Sequence, residues 1–110
     1  MNIQIFGTSK SFDTKKAERW FKERRISFQA VDLKRYGMSR GELNSVRQAV
    51  GLEAMINPKH PDAALLERLA SDQAKLDHLF EDPSLLNAPI VRNGKQATVG
   101  YCPQVWETWT

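Results

Sequence analysis

Apolar and polar residues alternate at the start of the chain, where Ile3 and Ile5 flank Gln4 ahead of Phe6, and a period of two predicts a strand. The next residues, Gly7 to Phe12, are mostly small and polar and read as a loop. From Thr14 to about Arg25 the period lengthens. Ala17, Trp20 and Phe21 recur at helical spacing among Lys15, Lys16, Arg19, Lys22, Arg24 and Arg25, predicting a basic amphipathic helix with Asp13 as its N-cap. Trp20 belongs to the apolar stripe of that helix and is expected in the core. Strand-like alternation returns over Ser27 to Leu33, which completes a β-α-β unit with parallel strands.

Ser39 followed three residues later by Glu42 is a capping box, and Leu43, Val46 and Val50 behind it mark a helix that stops near Gly51. Beyond the breaker cluster Asn57-Pro58-Lys59-His60-Pro61, Asp62 is placed to cap a helix carrying Leu65, Leu66 and Leu69. A further helical run follows through Leu76, Leu79 and Phe80. Ala88 to Arg92, a turn at Asn93-Gly94, and Gln96 to Gly100 predict a β-hairpin. Pro103 to Trp109 then suits a closing helix with Pro103 in its first turn. The predicted class is α/β: a thioredoxin-like fold with a helical insert between β-α-β and a C-terminal β-hairpin plus helix. One domain is expected over residues 1–110, with the thioredoxin-like part at about 1–34 and 88–110 and the insert at about 39–86.

Composition narrows the chemistry. The chain has 110 residues, 41% hydrophobic and 26% charged, with no run near the roughly 20 apolar residues of a membrane span. The amino terminus lacks the basic and apolar regions of a secretory signal, so a cytoplasmic location is expected. The single cysteine, Cys102, excludes an internal disulfide and a cysteine metal cluster; it is expected to be a partly buried bystander. His60 and His78 stand apart without a ligand cluster, so no metal is expected. Charge is uneven: residues 1–40 carry ten Lys/Arg against four Asp/Glu, and the remainder six against nine. The basic helix is either a solvated face or an attraction for an acidic partner or anion; no direct nucleic-acid motif accompanies it.

The run Phe6-Gly7-Thr8-Ser9-Lys10-Ser11-Phe12-Asp13 with Thr14 to Ala17 resembles the active-site loop and first helix of the ArsC/Spx family, the arsenate reductases and Spx-like regulators. Trp20 to Phe28 with Asp32-Leu33, the Leu43 region, and Ala88-Pro89-Ile90-Val91 followed by Val99-Gly100-Tyr101 extend the likeness over nearly the whole chain. The resemblance implies a thioredoxin fold with a cysteine ahead of the first helix and a cis proline opening the third strand, here Pro89. In the reductases that cysteine is the nucleophile and forms a mixed disulfide with glutathione, with arginines holding the oxyanion. Spx-like members use a C-x-x-C pair as a redox switch and bind the RNA polymerase alpha subunit.

Both programmes need sulfur where this chain has none. Ser11 falls at the first cysteine position and Thr14 at the second. An unassisted serine hydroxyl stays protonated near neutral pH, so Ser11 cannot exchange disulfides. The candidate bases His60, His78 and Asp13 form no recognisable triad. Ala88 stands where the family often has an arginine, and Arg92 does not match that position. No catalytic residue is therefore assigned. The expected ligand-binding set is Lys10, Ser11, Thr14, Lys15 and Pro89, receiving a small anion or a protein partner, with Asp13 opposing an anion. No cofactor is expected beyond the glutathione the resemblance implies. The leading expectation is a noncatalytic, degenerate member, expected to be a monomer. The alternatives are an arsenate reductase-like oxidoreductase linked to glutathione or thioredoxin, and an Spx-like regulator binding RNA polymerase.

Overall fold

A computed structural model describes residues 1–69 and 71–109. The amino-terminal unit is β1 (Ile3–Gly7), α1 (Phe12–Glu23) and β2 (Phe28–Asp32). The insert follows with α2 (Arg40–Val50), α3 (Leu52–Met55), α4 (Ala63–Glu67), α5 (Asp72–Glu81) and a 3-10 turn at Pro83–Leu85. The chain closes with β3 (Ile90–Asn93), β4 (Gln96–Val99) and α6 (Pro103–Glu107). The sheet order is β2-β1-β3-β4, with β1 and β2 parallel and the other pairs antiparallel. This is the thioredoxin-like arrangement, with helices inserted ahead of β3.

Strand periodicity divides the core in two. On one face of the sheet Ile3, Ile5 and Val91 pack with Ala17, Trp20, Phe21 and Trp106. On the other, Phe6 and Ile90 meet Leu43, Val46, Met55 and Leu79 from the insert. Each strand feeds both clusters because successive side chains point to opposite faces. Trp20 is buried as its periodicity requires, edge-on to Trp106 at 5.4 Å between centroids. The fully buried Trp106 donates its indole N–H to Thr98 Oγ1 at 2.8 Å, which satisfies the one polar group that ring carries.

Local rules explain most boundaries, and several depart from the sequence expectation. The Ser39–Glu42 capping box forms with both bonds present, and α2 stops at Gly51 with φ +86°. Helix α1 begins at Phe12 rather than Thr14, and its N-cap is Ser11 rather than Asp13. It ends at Glu23 because Arg25 takes φ 57° and a Schellman closure forms: Arg25 N–H bonds Lys22 O and Ile26 N–H bonds Phe21 O, both at 3.0 Å. Asp62 precedes α4 but makes no side-chain capping bond, since its backbone turns at ψ 3° instead of extending. In α4 Leu66 is buried while Leu65 is exposed. No helix among the described residues is long and apolar enough to cross a membrane.

Candidate functional site

Gly7 brings β1 to its end and the chain turns over Thr8 to Ser11, closed by Ser11 N–H donating to Thr8 O at 3.2 Å. Ser11 has extended backbone angles, and its Oγ accepts the Thr14 N–H at 3.1 Å. The serine side chain is therefore spent as an acceptor on the helix start. Asp13 sits two residues past the cap, in the first turn, where a negative charge is favoured by the helix dipole without capping it. Among the described residues no base hydrogen-bonds the Ser11 hydroxyl, so nothing withdraws its proton.

The loop forms one wall of an open cleft of about 580 Å³. Lys10, Ser11 and Asp13 line it from the loop side, Lys34 from the turn after β2, Lys59 from the insert, and Ala88 from the segment that leads into β3. Three ammonium groups against one carboxylate make it electropositive. The Ala88–Pro89 peptide bond is cis. Pro89 itself is buried, and its carbonyl accepts the Gly100 N–H at 2.8 Å. Ala88 is only half-buried, and its backbone N–H and carbonyl have no backbone partner among the described residues. The backbone of Ala88, rather than the ring of Pro89, is therefore available to a ligand.

The five residues singled out in the sequence do not all meet. Lys10 and Ser11 share the cleft, and Pro89 contributes through its neighbour Ala88. Thr14 lies beneath the loop, 6% exposed, with Oγ1 buried and unpartnered. Lys15 lines a separate groove with Glu18 on the β2 side of the loop. Lys34 and Lys59 were not singled out. Their only sequence signal is charge beside a strand end and a Pro-rich turn, and only the fold brings them opposite Lys10.

A serine, a histidine and an aspartate also meet at the cleft rim. His60 Nε2 lies 3.1 Å from Ser84 Oγ, and the Ser84 hydroxyl donates to Asp82 Oδ1 at 2.6 Å. His60 Nδ1 accepts the Asp62 N–H at 3.0 Å, which places the ring proton on Nε2. The relay runs from histidine to serine to carboxylate, the reverse of what activates a nucleophile. It ties the Asn57–Asp62 turn to the 3-10 turn.

Cys102 stands at the start of α6, outside the residues lining the cleft, and its Sγ donates to Val99 O at 3.3 Å. Burial pushes its thiol pKa up; the Thr98 hydroxyl opposes this and the Asp13 charge adds to it. Arg92 is held on the insert side of the sheet by Gln4 Oε1 at 2.7 Å and Ser45 Oγ at 3.3 Å, so it supplies no cation to the cleft. Among the described residues no group of three or more His, Cys, Asp or Glu side chains is placed to hold a metal ion.

Comparison with known proteins finds a family model, a sequence relative and solved structures similar to this chain. Residues 6–109 match the family model described as the ArsC family. A relative described as global transcriptional regulator Spx 2, from Oceanobacillus iheyensis, is 30% identical over 92% of this chain and 78% of its own. The solved structure of an arsenate reductase from Vibrio cholerae superposes with a TM-score of 0.84 at 26% identity, covering 97% of both chains. A putative ArsC family related protein from Bacteroides fragilis superposes at 0.85, 16% identical, over 100% of this chain and 98% of that one.

Proposed function

The chain belongs to the ArsC family, and from that premise we propose that it is a member without the loop thiol, one that binds an extended anionic ligand of the glutathione type in the Lys10–Ser11 cleft without catalysing disulfide chemistry. The observation that carries this reading is Ser11: at the family's cysteine position stands a hydroxyl that accepts the Thr14 N–H. No thiol lines the cleft. What remains supports binding. Lys10, Lys34 and Lys59 neutralise carboxylates, the N–H groups of Phe12 and Asp13 at the start of α1 face no helical acceptor, and Ala88 offers a backbone donor and acceptor for pairing. Asp13 selects against a compact, highly charged anion and favours a ligand whose charges are spread along its length.

The test compares the protein with its Ser11→Cys variant. Glutathione should shift the backbone amides of Lys10 to Thr14 and Ala88 in both, while only the variant should form a mixed disulfide with oxidised glutathione at position 11. Reduction of arsenate by the unaltered protein would sink the reading, as would glutathione shifts that avoid the cleft.

A second reading is an Spx-like regulator that binds the RNA polymerase alpha subunit, and two observations favour it. The 30% identical relative is described as a transcriptional regulator, and α1 exposes Lys15, Lys16 and Lys22. Retention of purified alpha subunit by the protein, lost on reversing those lysines, supports it; no retention discards it. With Ser11 and Thr14 in place of sulfur, such binding would not respond to oxidants.

A further inference from the structure

The cleft holds charges of both signs that do not pair with one another. Asp13 lines it together with Lys10, Lys34 and Lys59, and all four side chains are exposed. Among the described residues none of the four takes part in an ion pair; the pairs that form, Arg40–Asp77 and Arg47–Asp72, lie in the insert. The Asp13 carboxylate is not used by the helix either, since the cap of α1 is Ser11.

The backbone keeps these charges on separate walls. Lys34 donates its N–H to Asp32 Oδ1 and Lys59 its N–H to Asn57 Oδ1, both at 3.0 Å, so each lysine sits in a turn closed by the side chain two residues before it. The hydrogen bond between His60 and Ser84 ties the Lys59 turn to the 3-10 turn. Pro83 of that 3-10 turn packs in turn on Gly37, its Cγ 2.9 Å from where a β-carbon of Gly37 would lie. The segments bearing Lys34 and Lys59 are thereby braced through the 3-10 turn, while Asp13 belongs to α1. For a lysine to swing onto Asp13 would cost side-chain freedom and return little at an exposed site. All four charges therefore stay available to a ligand.

Three ammonium groups and one carboxylate are the inverse of a short acidic peptide with a free amino end. An α-amino acid head carries its ammonium and its carboxylate on one carbon. The loop wall offers a partner for each: Asp13 for the ammonium, and Lys10 with the N–H groups at the start of α1 for the carboxylate. A second carboxylate further along the ligand then faces Lys34 and Lys59. A ligand without an ammonium leaves Asp13 unpaired and is repelled by it.

We infer that Asp13 is the specificity-determining residue of the cleft, receiving the free α-ammonium of a short peptide that carries at least two carboxylates. The inference rests on the proposed use of the Lys10–Ser11 cleft for a ligand of the glutathione type and adds to it the requirement for a free amine.

The experiment titrates the isotope-labelled full chain with S-methyl glutathione and with the same compound acetylated on its α-amino group, so that no thiol of the ligand takes part. Acetylation makes the ligand more negative by one charge. Attraction to three lysines alone would therefore make the acetylated compound the tighter of the two. With Asp13 receiving the ammonium the order is the opposite: the acetylated compound should bind about threefold to fivefold more weakly at low ionic strength, and the difference should shrink in about 0.5 M salt. In Asp13→Asn, which keeps the size of this exposed side chain, the order should invert.

Equal or tighter binding of the acetylated compound to the unaltered protein, with shifts at Lys10 to Thr14 and Ala88, overturns the inference and leaves the cleft reading standing. A preference for the free amine that persists in Asp13→Asn also overturns it, because the ammonium would then be held elsewhere. No shift of the cleft amides by either compound at millimolar concentration removes the cleft reading and this inference with it.

Discussion

The side chain of Thr14 fills the space that a β-carbon at Gly7 would occupy: its Cγ2 lies 2.3 Å and its Oγ1 2.5 Å from that position. Glycine at the end of β1 is what lets α1 settle directly against the strand, and so fixes the loop that carries Lys10 and Ser11. Gly7→Ala should therefore destabilise the fold by about 1–3 kcal/mol, as overpacking does. Thr14→Ala removes the two nearest atoms and leaves the β-carbon, 2.9 Å from that position, so Gly7→Ala should cost less in the Thr14→Ala background than in the unaltered protein by urea denaturation. Strict additivity of the two changes would show that the contact is not what Gly7 serves.

The same threonine carries a buried hydroxyl without a partner among the described residues. Burial strips such a group of water with no hydrogen bond in return. Thr14→Val keeps the shape and the branching and removes the polar atom, so it should raise stability by about 1 kcal/mol. A loss of that size in thermal unfolding would mean that the hydroxyl has a partner in solution.

Ser11 and Asp13 should separate cleanly by mutation. Ser11→Ala deletes the acceptor of the Thr14 N–H and should cost about 1 kcal/mol, within the range for lost N-caps. Asp13→Ala removes only a favourable charge in the first turn and should cost about 0.3–1 kcal/mol at low salt, fading as salt is added. Equal, salt-independent losses in chemical denaturation would contradict this division of roles.

Sequence periodicity was sufficient for the longer elements, because Ile3, Ile5, Phe6, Trp20 and Leu43 obey the spacing of the structure that buries them. It misplaced helix ends where chemistry is ambiguous within two residues. Ser11 and Asp13 are both good caps, and only the extended backbone of Ser11 decides between them. Arg25 hides a left-handed closure that a glycine would have announced. The four-residue α3 and the 3-10 turn at Pro83–Leu85 are too short to show a period. The cleft was half legible. Its loop wall is contiguous in sequence, but Lys34 and Lys59 join it through tertiary placement that no local pattern encodes. Lys15, close to the loop in sequence, faces the groove on the β2 side with Glu18, a placement that sequence proximity does not decide.

Cys102 gives a prediction in pH. Burial raises its thiol pKa above the ordinary value, the Thr98 hydroxyl counteracts that in part, and the negative charge of Asp13 raises it further. A group whose folded pKa is raised stabilises the fold fully below its unfolded pKa, and that contribution is lost as pH climbs through the folded value. The stability difference between the protein and Cys102→Ala should thus be constant at neutral pH and shrink above the ordinary thiol range, measured as urea midpoints across an alkaline series. Alkylation by iodoacetamide, which needs the thiolate, should have its midpoint at higher pH than free cysteine, and Asp13→Asn should move that midpoint down. A midpoint at or below that of free cysteine would mean the thiol is activated rather than silenced. The sulfur next to α6 would then have to be reconsidered as a reactive centre despite standing outside the Lys10–Ser11 cleft.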